Sequence, residues 1–281
     1  MMLLRISALV VTLLAGQVSN IEKMSGPYLG QEPPGEEVVR FARNIIPEDL
    51  HSVPVFSHDG KSMYFKSMES DGIIASKEVA GSWSPPGLAS INNFIDNTDD
   101  PCLSPDDSRL YFTSYDKEHN RDFIYFCELR NGKISKPELP DGQLNSIDMH
   151  WQFSMAGNGN IYYAANGNIY FSELKDNIYQ DPLKLDSCIN TSYSECTPYI
   201  NPEENLMIFA RSANGKPDLY ISRKDKSGNW LPSKQLQDGI NSEHHEMCPR
   251  VTADGKYFFF ISSREGLFSA YWVDAKVIEK Y

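Results

Sequence analysis

Apolar residues along this chain come in short dense runs rather than at helical spacing. Met63-Tyr64-Phe65, Leu110-Tyr111-Phe112, Ile161-Tyr162-Tyr163, Met207-Ile208-Phe209 and Phe258-Phe259-Phe260 are of strand length and do not alternate with polar residues. A strand that is apolar on both faces needs cover on both faces. The stretch from Thr197 to Asn241 shows the surrounding unit most clearly. Thr197–Ile200 leads into the turn Asn201-Pro202-Glu203-Glu204-Asn205, and Leu206–Ala210 is the apolar strand. Arg211–Pro217 reads as a polar loop and Asp218–Arg223 as an alternating third strand. A Gly turn then brings in Trp230 and a last strand that ends at Ile240-Asn241.

The unit recurs. One copy runs from His51 to Asn92, a second starts at Asp100, a worn third at Trp151, and a fifth at Cys248. With Ser57, Ser104, Ser154, Asn201 and Thr252 taken as equivalent turn positions, the separations are 47, 50, 47 and 51 by subtraction. Four strands at a period of about 40–50 residues are the mark of a β-propeller. The fifth copy lacks its outer strand, and Glu37–Ile46 is a spare strand ahead of the first. Six full blades would need about 290 residues at this period. The expected fold is therefore all-β: a propeller of five four-stranded blades closed by an N-terminal strand, with six blades as the runner-up.

Arg5 followed by the apolar run Ile6 to Ala15 and a small, polar exit has the form of a secretory signal peptide over residues 1–20. The run is shorter than the roughly 20 residues of a membrane span, so no transmembrane segment is expected. A buried first helix is the alternative. Residues 21–36 read as an extended lead-in and 37–281 as one propeller domain, periplasmic or extracellular. Charge narrows the partners: 26 basic against 38 acidic residues give a net charge of -12, which excludes nucleic acid and anionic membrane surfaces. The five cysteines match no zinc spacing. Export would permit a Cys188–Cys196 disulfide; reduced packing residues are the alternative.

Ser-Pro-Asp-Asp-Ser-Arg-Leu-Tyr-Phe at Ser104–Phe112, Asp-Gly-Lys-Ser-Met-Tyr-Phe at Asp59–Phe65 and Ala-Asp-Gly-Lys at Ala253–Lys256 resemble the WD40-like propeller repeat of the TolB type. Asp218-Leu219-Tyr220 and the closing Tyr271-Trp272-Val273-Asp274-Ala275-Lys276 fit the same pattern. The resemblance covers nearly all of Val38–Lys276. It implies an exported bacterial propeller that binds protein partners, although some enzymes, including oligogalacturonide lyases, carry a similar propeller. The sequence departs from the pattern at Asn158-Gly159-Asn160 and in having five repeats where the TolB propeller has six.

Strand order sorts the loops onto two faces. The turns between first and second strands lie on one face, called the bottom. The blade-to-blade crossovers and the loops between second and third strands lie on the top. Asp59, Asp106 and Asp254 fall in bottom turns, where a carboxylate before Gly caps the local backbone. A different set approaches the channel from the top. Glu195 and Glu246 each precede a strand-opening Pro by three residues, Asp99 and Asp100 precede Pro101, Asp148 precedes Trp151, and His51 precedes Pro54. Each carboxylate caps its own crossover, or the set forms a ring that holds a polar ligand or a cation. In the second case Glu195, Glu246 and Asp99 are the metal ligands and calcium the one cofactor to expect. Arg211, Arg264 and Tyr115, on top loops, would bind an anionic ligand or pair with these acids. His244-His245 reads as solvated loop. Nucleophile elbow, phosphate loop and dinucleotide fingerprint are all missing, so no catalytic residue is expected. The leading expectation is a non-catalytic module that binds a protein or a carbohydrate on its top face. The alternative is a polysaccharide lyase or glycoside hydrolase that uses the channel acids. The oligomeric state stays open.

Overall fold

A computed structural model describes residues 24–281 apart from 131, 132, 149 and 214, together with the backbone but not the side chains of His150 and Trp151. The expected signal peptide lies outside the described residues. Among the described residues strands dominate and helix is confined to four short 3-10 turns. The fold is a five-bladed β-propeller.

The inner, second and third strands of the blades run in chain order. Blade 1 has Val55–Phe56, Ser62–Phe65 and Ile74–Val79, with Ser82–Trp83 and Gly87–Leu88 along its rim. Blade 2 has Thr98–Leu103, Arg109–Asp116, Arg121–Arg130 and an outer Lys133–Ile134. Blade 3 has His150–Met155, Ile161–Ala165, Asn168–Ser172 and Leu183–Lys184. Blade 4 has Ser194–Ile200, Leu206–Ala213, Lys216–Arg223 and Lys234–Gln235. Blade 5 has Glu246–Val251, Tyr257–Ser262 and Ser269–Asp274. Its outer strand is Val39–Arg40, paired Val39 to Trp272 and Arg40 to Tyr271.

The unbroken apolar runs are explained by what covers them. Buried side chains form five clusters, one between each pair of neighbouring blades. Met63 and Phe65 pack toward Phe259, Ile261 and Trp272 of blade 5, whereas Tyr64 between them packs toward Leu110 and Phe112 of blade 2. Tyr111 joins Phe153, Ile161 and Tyr163 of blade 3. Tyr162 joins Met207 and Phe209 of blade 4, and Ile208 joins Phe258 and Phe260 of blade 5. Each second strand thus feeds one core with its odd positions and the next core with its even ones. Five clusters close the ring and leave no place for a sixth blade.

Two expectations need correction. Glu37–Ile46 is not one strand: the strand is Val39–Arg40, a last backbone bond runs from the Phe41 N–H to the Ala270 carbonyl at 2.8 Å, and the chain then turns. The reason is Phe41, 2% exposed, whose ring sits edge-on to Phe56, Phe259 and Trp272 at centroid distances of 5.8, 5.0 and 4.9 Å. An extended chain would carry it past that core. Outside the core, Arg40 bridges Glu48 at 2.7 Å and Glu265 at 2.9 Å.

The second correction concerns the third repeat. In the bottom turns the anchor N–H closes onto the start of the second strand, and the residue three positions on is left-handed. This holds for Ser57 with Gly60, Ser104 with Asp107, Asn201 with Glu204, and Thr252 with Gly255. In blade 3 the residues that do this are Ala156 and Gly159, so Ala156, not Ser154, is the equivalent position. The turn there is one residue shorter, closing from Ala156 to Asn160.

Phe41→Ala should remove the contact that ties the first strand to the fifth core. We expect a loss of about 3–5 kcal/mol, read as a lower midpoint in urea unfolding.

Candidate functional site

The crossovers repeat a lock that positions everything on the top face. Asn190 Oδ1 accepts from the Ile169 N–H at 2.7 Å while its Nδ2 donates to the Ile169 carbonyl at 2.9 Å. Asn241 does the same with Leu219, at 2.7 and 2.9 Å, and Asn145 with Ile124, at 2.8 and 3.0 Å. Asn92 donates to the Ile73 carbonyl and accepts from the Thr98 hydroxyl. These Asn residues end each crossover at the head of the blade's third strand. Ile240-Asn241 was visible in the sequence as the end of a unit, and Ile91-Asn92 and Ile189-Asn190 repeat it; Leu144-Asn145 was missed because Leu stands for Ile.

Glu195 and Glu246 follow this lock and are wholly buried. Glu195 accepts from Thr191 Oγ1 at 2.6 Å and from Arg211 Nε at 2.8 Å. Glu246 accepts from Ser242 Oγ at 2.6 Å, Ser262 Oγ at 2.8 Å and Arg264 Nη2 at 3.3 Å. The two arginines are themselves enclosed. Arg211 donates to the Ile189 carbonyl and stacks 4.4 Å from the Tyr220 ring centroid; Arg264 donates to the Ile240 carbonyl and stacks 4.8 Å from that of Tyr271. Arg211 is not in a loop at all. The second strand of blade 4 continues to Ala213, because the Glu195 carboxylate draws the guanidinium into the sheet. Glu195 and Arg211 are thus paired within blade 4, and Glu246 and Arg264 within blade 5.

Tyr115 is not in a loop either: it lies near the end of the second strand of blade 2, 41% exposed, and donates its hydroxyl to Asn120 Oδ1 at 2.7 Å in the turn that follows. Asp148 is half-buried in the crossover ahead of blade 3; the shifted anchor puts it two residues short of the Glu195 position. His244 and His245 are exposed. Cys188 and Cys196 do not pair: all five thiols are free, Cys196 inside the core between blades 4 and 5 and Cys188 beside the core between blades 3 and 4. Asp59, Asp106 and Asp254 cap their turns; Asp106 accepts from Ser104 Oγ and Ser108 Oγ at 2.7 Å, and these bonds hold its carboxyl down at about 2.

What remains at the channel is His51 and Asp100, with Asp99 beside them. The geometry that delivers them is a bulge in the inner strand. In blades 2 to 5 the ladder to the second strand slips between Asp99 and Cys102, His150 and Ser154, Cys196 and Tyr199, and Met247 and Arg250. Asp100, Thr197 and Cys248 sit in these bulges with φ of +48°, +46° and +54°, a strained state for a β-branched Thr. The following Pro residues lack an N–H, so the interrupted ladder loses nothing there. Asp100, Gln152, Thr197 and Cys248 are four residues before their blade's anchor. They form the floor of a cavity of about 240 Å³ whose wall is Asp49, Leu50, His51, Met68, Met247, Ile261 and Phe268.

Asp100 is 4% exposed. Its Oδ2 accepts from Thr113 Oγ1 at 3.3 Å. Burial, and then the neighbouring Asp99 charge, push its carboxyl up to about 8. His51 Nδ1 lies 2.7 Å from Asp99 Oδ2, close enough for an ion pair but off the line of a hydrogen bond. That carboxylate, working against burial, raises the imidazole above its usual value. One ligand-type atom each of His51, Asp99 and Asp100 falls within 4.8 Å of the others, the group among the described residues able to hold a cation.

No family model matches the sequence, and no curated protein sequence matches it either. Solved structures do share the fold. The endo-arabinase from Bacteroides thetaiotaomicron is 12% identical with a TM-score of 0.56, over 86% of this chain and 96% of that one. TolB from Acinetobacter baumannii is 14% identical with a TM-score of 0.49, over 80% of this chain and 54% of that one. The β-propeller domain of Swd1 from Myceliophteria thermophila is 9% identical with a TM-score of 0.45, over 77% and 64%. The chain spans about half the length of TolB. The likeness is one of fold alone. Among the described residues no helix is long and apolar enough to cross a membrane.

Arg211→Met should cost about 3–5 kcal/mol, because it leaves Glu195 buried and uncompensated; the double variant with Glu195→Gln should recover part of this in a denaturation cycle. Asp100 gives a second test. The unfolded chain releases this proton near 3.8 and the folded chain near 8. Stability should therefore fall as pH rises between these values, by at most about 1.4 kcal/mol per pH unit. Asp100→Asn, which tolerates the left-handed backbone, should remove that slope from a series of urea midpoints.

Proposed function

We propose that this chain is an exported binding propeller whose top-face cavity seats a basic side chain, Lys or Arg, of a protein partner. One observation carries the reading: a buried carboxyl, Asp100, lies at the floor of an apolar-walled cavity open to the top. The walls suit an aliphatic stem and the floor suits its charged head. A bare calcium ion takes six to eight oxygen ligands, and of the lining residues Asp49, Asp100, Gln152 and Thr197 carry side-chain oxygens while Leu50, Met68, Met247, Ile261 and Phe268 carry none. Met68 and Leu267, 59% and 52% exposed, add apolar surface beside the opening. The net charge of -12 favours approach of a basic partner.

A second reading has one observation in its favour. Asp100, protonated near neutral pH, lies beside Asp99, and an acid next to a carboxylate is the pairing that glycoside hydrolysis uses. Polysaccharide turnover abolished by Asp100→Asn would establish it in place of the first.

The binding test uses Nα-acetyl-lysine methylamide and Nα-acetyl-arginine methylamide, titrated calorimetrically. At least one should bind at a single site and compete with longer basic peptides. Affinity should rise by up to tenfold per pH unit from pH 6 to 8, as the cation displaces the Asp100 proton, and Asp100→Asn should remove the rise. Binding that is indifferent to this substitution would overturn the reading.

A further inference from the structure

The opposite mouth carries the inverse charge. We propose that it is a site for a small oxyanion, a carboxylate or a phosphate, built on Arg250.

Two residues before each bottom anchor, the inner strands present Val55, Cys102, Ser154, Tyr199 and Arg250. Arg250 is the cation of that level, and the level holds no acid. Below it opens a cavity of about 170 Å³ to which every blade contributes, through Val55, Leu103, Met155, Tyr199 and Arg250. Water occupies about 30 Å³ per molecule, so the space admits an anion of a few heavy atoms.

The guanidinium is poorly satisfied. Nη1 donates to the Cys102 sulfur at 3.7 Å and Nη2 to the Phe153 carbonyl at 3.3 Å, both weak contacts, and Nε is buried without a partner. Among the described residues no carboxylate comes within ion-pair reach of it. Asp107 lines the same cavity but is held by the His58 N–H at 2.7 Å and lies 3.2 Å from the His58 ring. Arg40, Arg211 and Arg264, by contrast, each meet a carboxylate. In a chain with 38 acidic residues, a half-buried arginine that lines this cavity with no carboxylate in ion-pair reach has its counter-charge left to come from outside. Tyr199, on the cavity wall, lies close enough to feel the Arg250 charge, which partly offsets the upward push of burial on its phenol. Its hydroxyl is a second donor. The planar fork of a guanidinium matches the paired oxygens of a carboxylate or phosphate.

The test titrates the full chain with inorganic phosphate and, separately, with acetate, at constant ionic strength maintained with chloride, followed by calorimetry and by thermal midpoint. One of the two should saturate at one equivalent, and which one saturates tells phosphate from carboxylate. Arg250→Lys should weaken that binding at least tenfold, and Arg250→Met should abolish it. Because Arg250→Met removes a charge that has no internal partner, the variant should fold, with an apo midpoint equal to or above that of the wild type. Equal shifts in wild type and Arg250→Met, or no saturable binding by either anion, would overturn the proposal. An apo midpoint that drops sharply in Arg250→Met would also count against it, since the arginine would then be serving the fold.

Discussion

Everything in this structure depends on the ring being closed by a pair of residues. Each blade is covered on both faces only because another blade stands on each side, and blades 1 and 5 meet only if the chain's two ends are brought together. Val39–Arg40 does this along the edge of Ser269–Asp274, and Phe41 secures it in the core shared by Phe56, Phe259 and Trp272. The backbone ladder there is short. The aromatic cluster and the Arg40 ion pairs carry the join, which is why the sequence spends an aromatic residue at the point where the strand stops.

Once the ring is closed, the inner strands have a channel to line, and the bulges decide what they put in it. A regular strand would turn alternate residues to the channel throughout. The slip before each Pro lets the upper part present Asp100, Gln152, Thr197 and Cys248 while the lower part presents Tyr199 and Arg250. The strain of a left-handed Thr197 is held in place by the hydrogen bond its hydroxyl accepts from the Cys248 N–H in the next blade. One end of the channel is therefore acidic and the other basic, separated by a few residues of the same strands.

The fold was legible in the sequence because a propeller repeats its chemistry: unbroken apolar runs, turn residues at fixed offsets and a spare first strand together specify the number of blades. The third repeat was misaligned because Ser154 looks like an anchor and Ala156 does not, although Gly159 three residues on marks the true turn. The candidate site was legible only in part. His51, Asp99 and Asp100 could be picked out as residues near the channel. Glu195 and Glu246, chosen by the same rule, proved to face Arg211 and Arg264 inside their own blades, since two positions in a bulged strand separate a buried pair from a channel wall. Arg250 was passed over because a single arginine on an apolar strand has no pattern; only the absence of an acid around it, seen in three dimensions, sets it apart.

The shared fifth blade has a consequence for how the protein comes to exist. Its outer strand is made before the other four blades and its remaining three strands after them, so Val39–Arg40 has nothing to pair with until Ser269–Asp274 is made. An unpaired strand invites association with other chains. Here it is two residues long, with Glu36 and Glu37 before it and Arg40 and Arg43 in and after it. A segment that must wait for the fifth blade is kept too short and too charged to accept a stranger's strand.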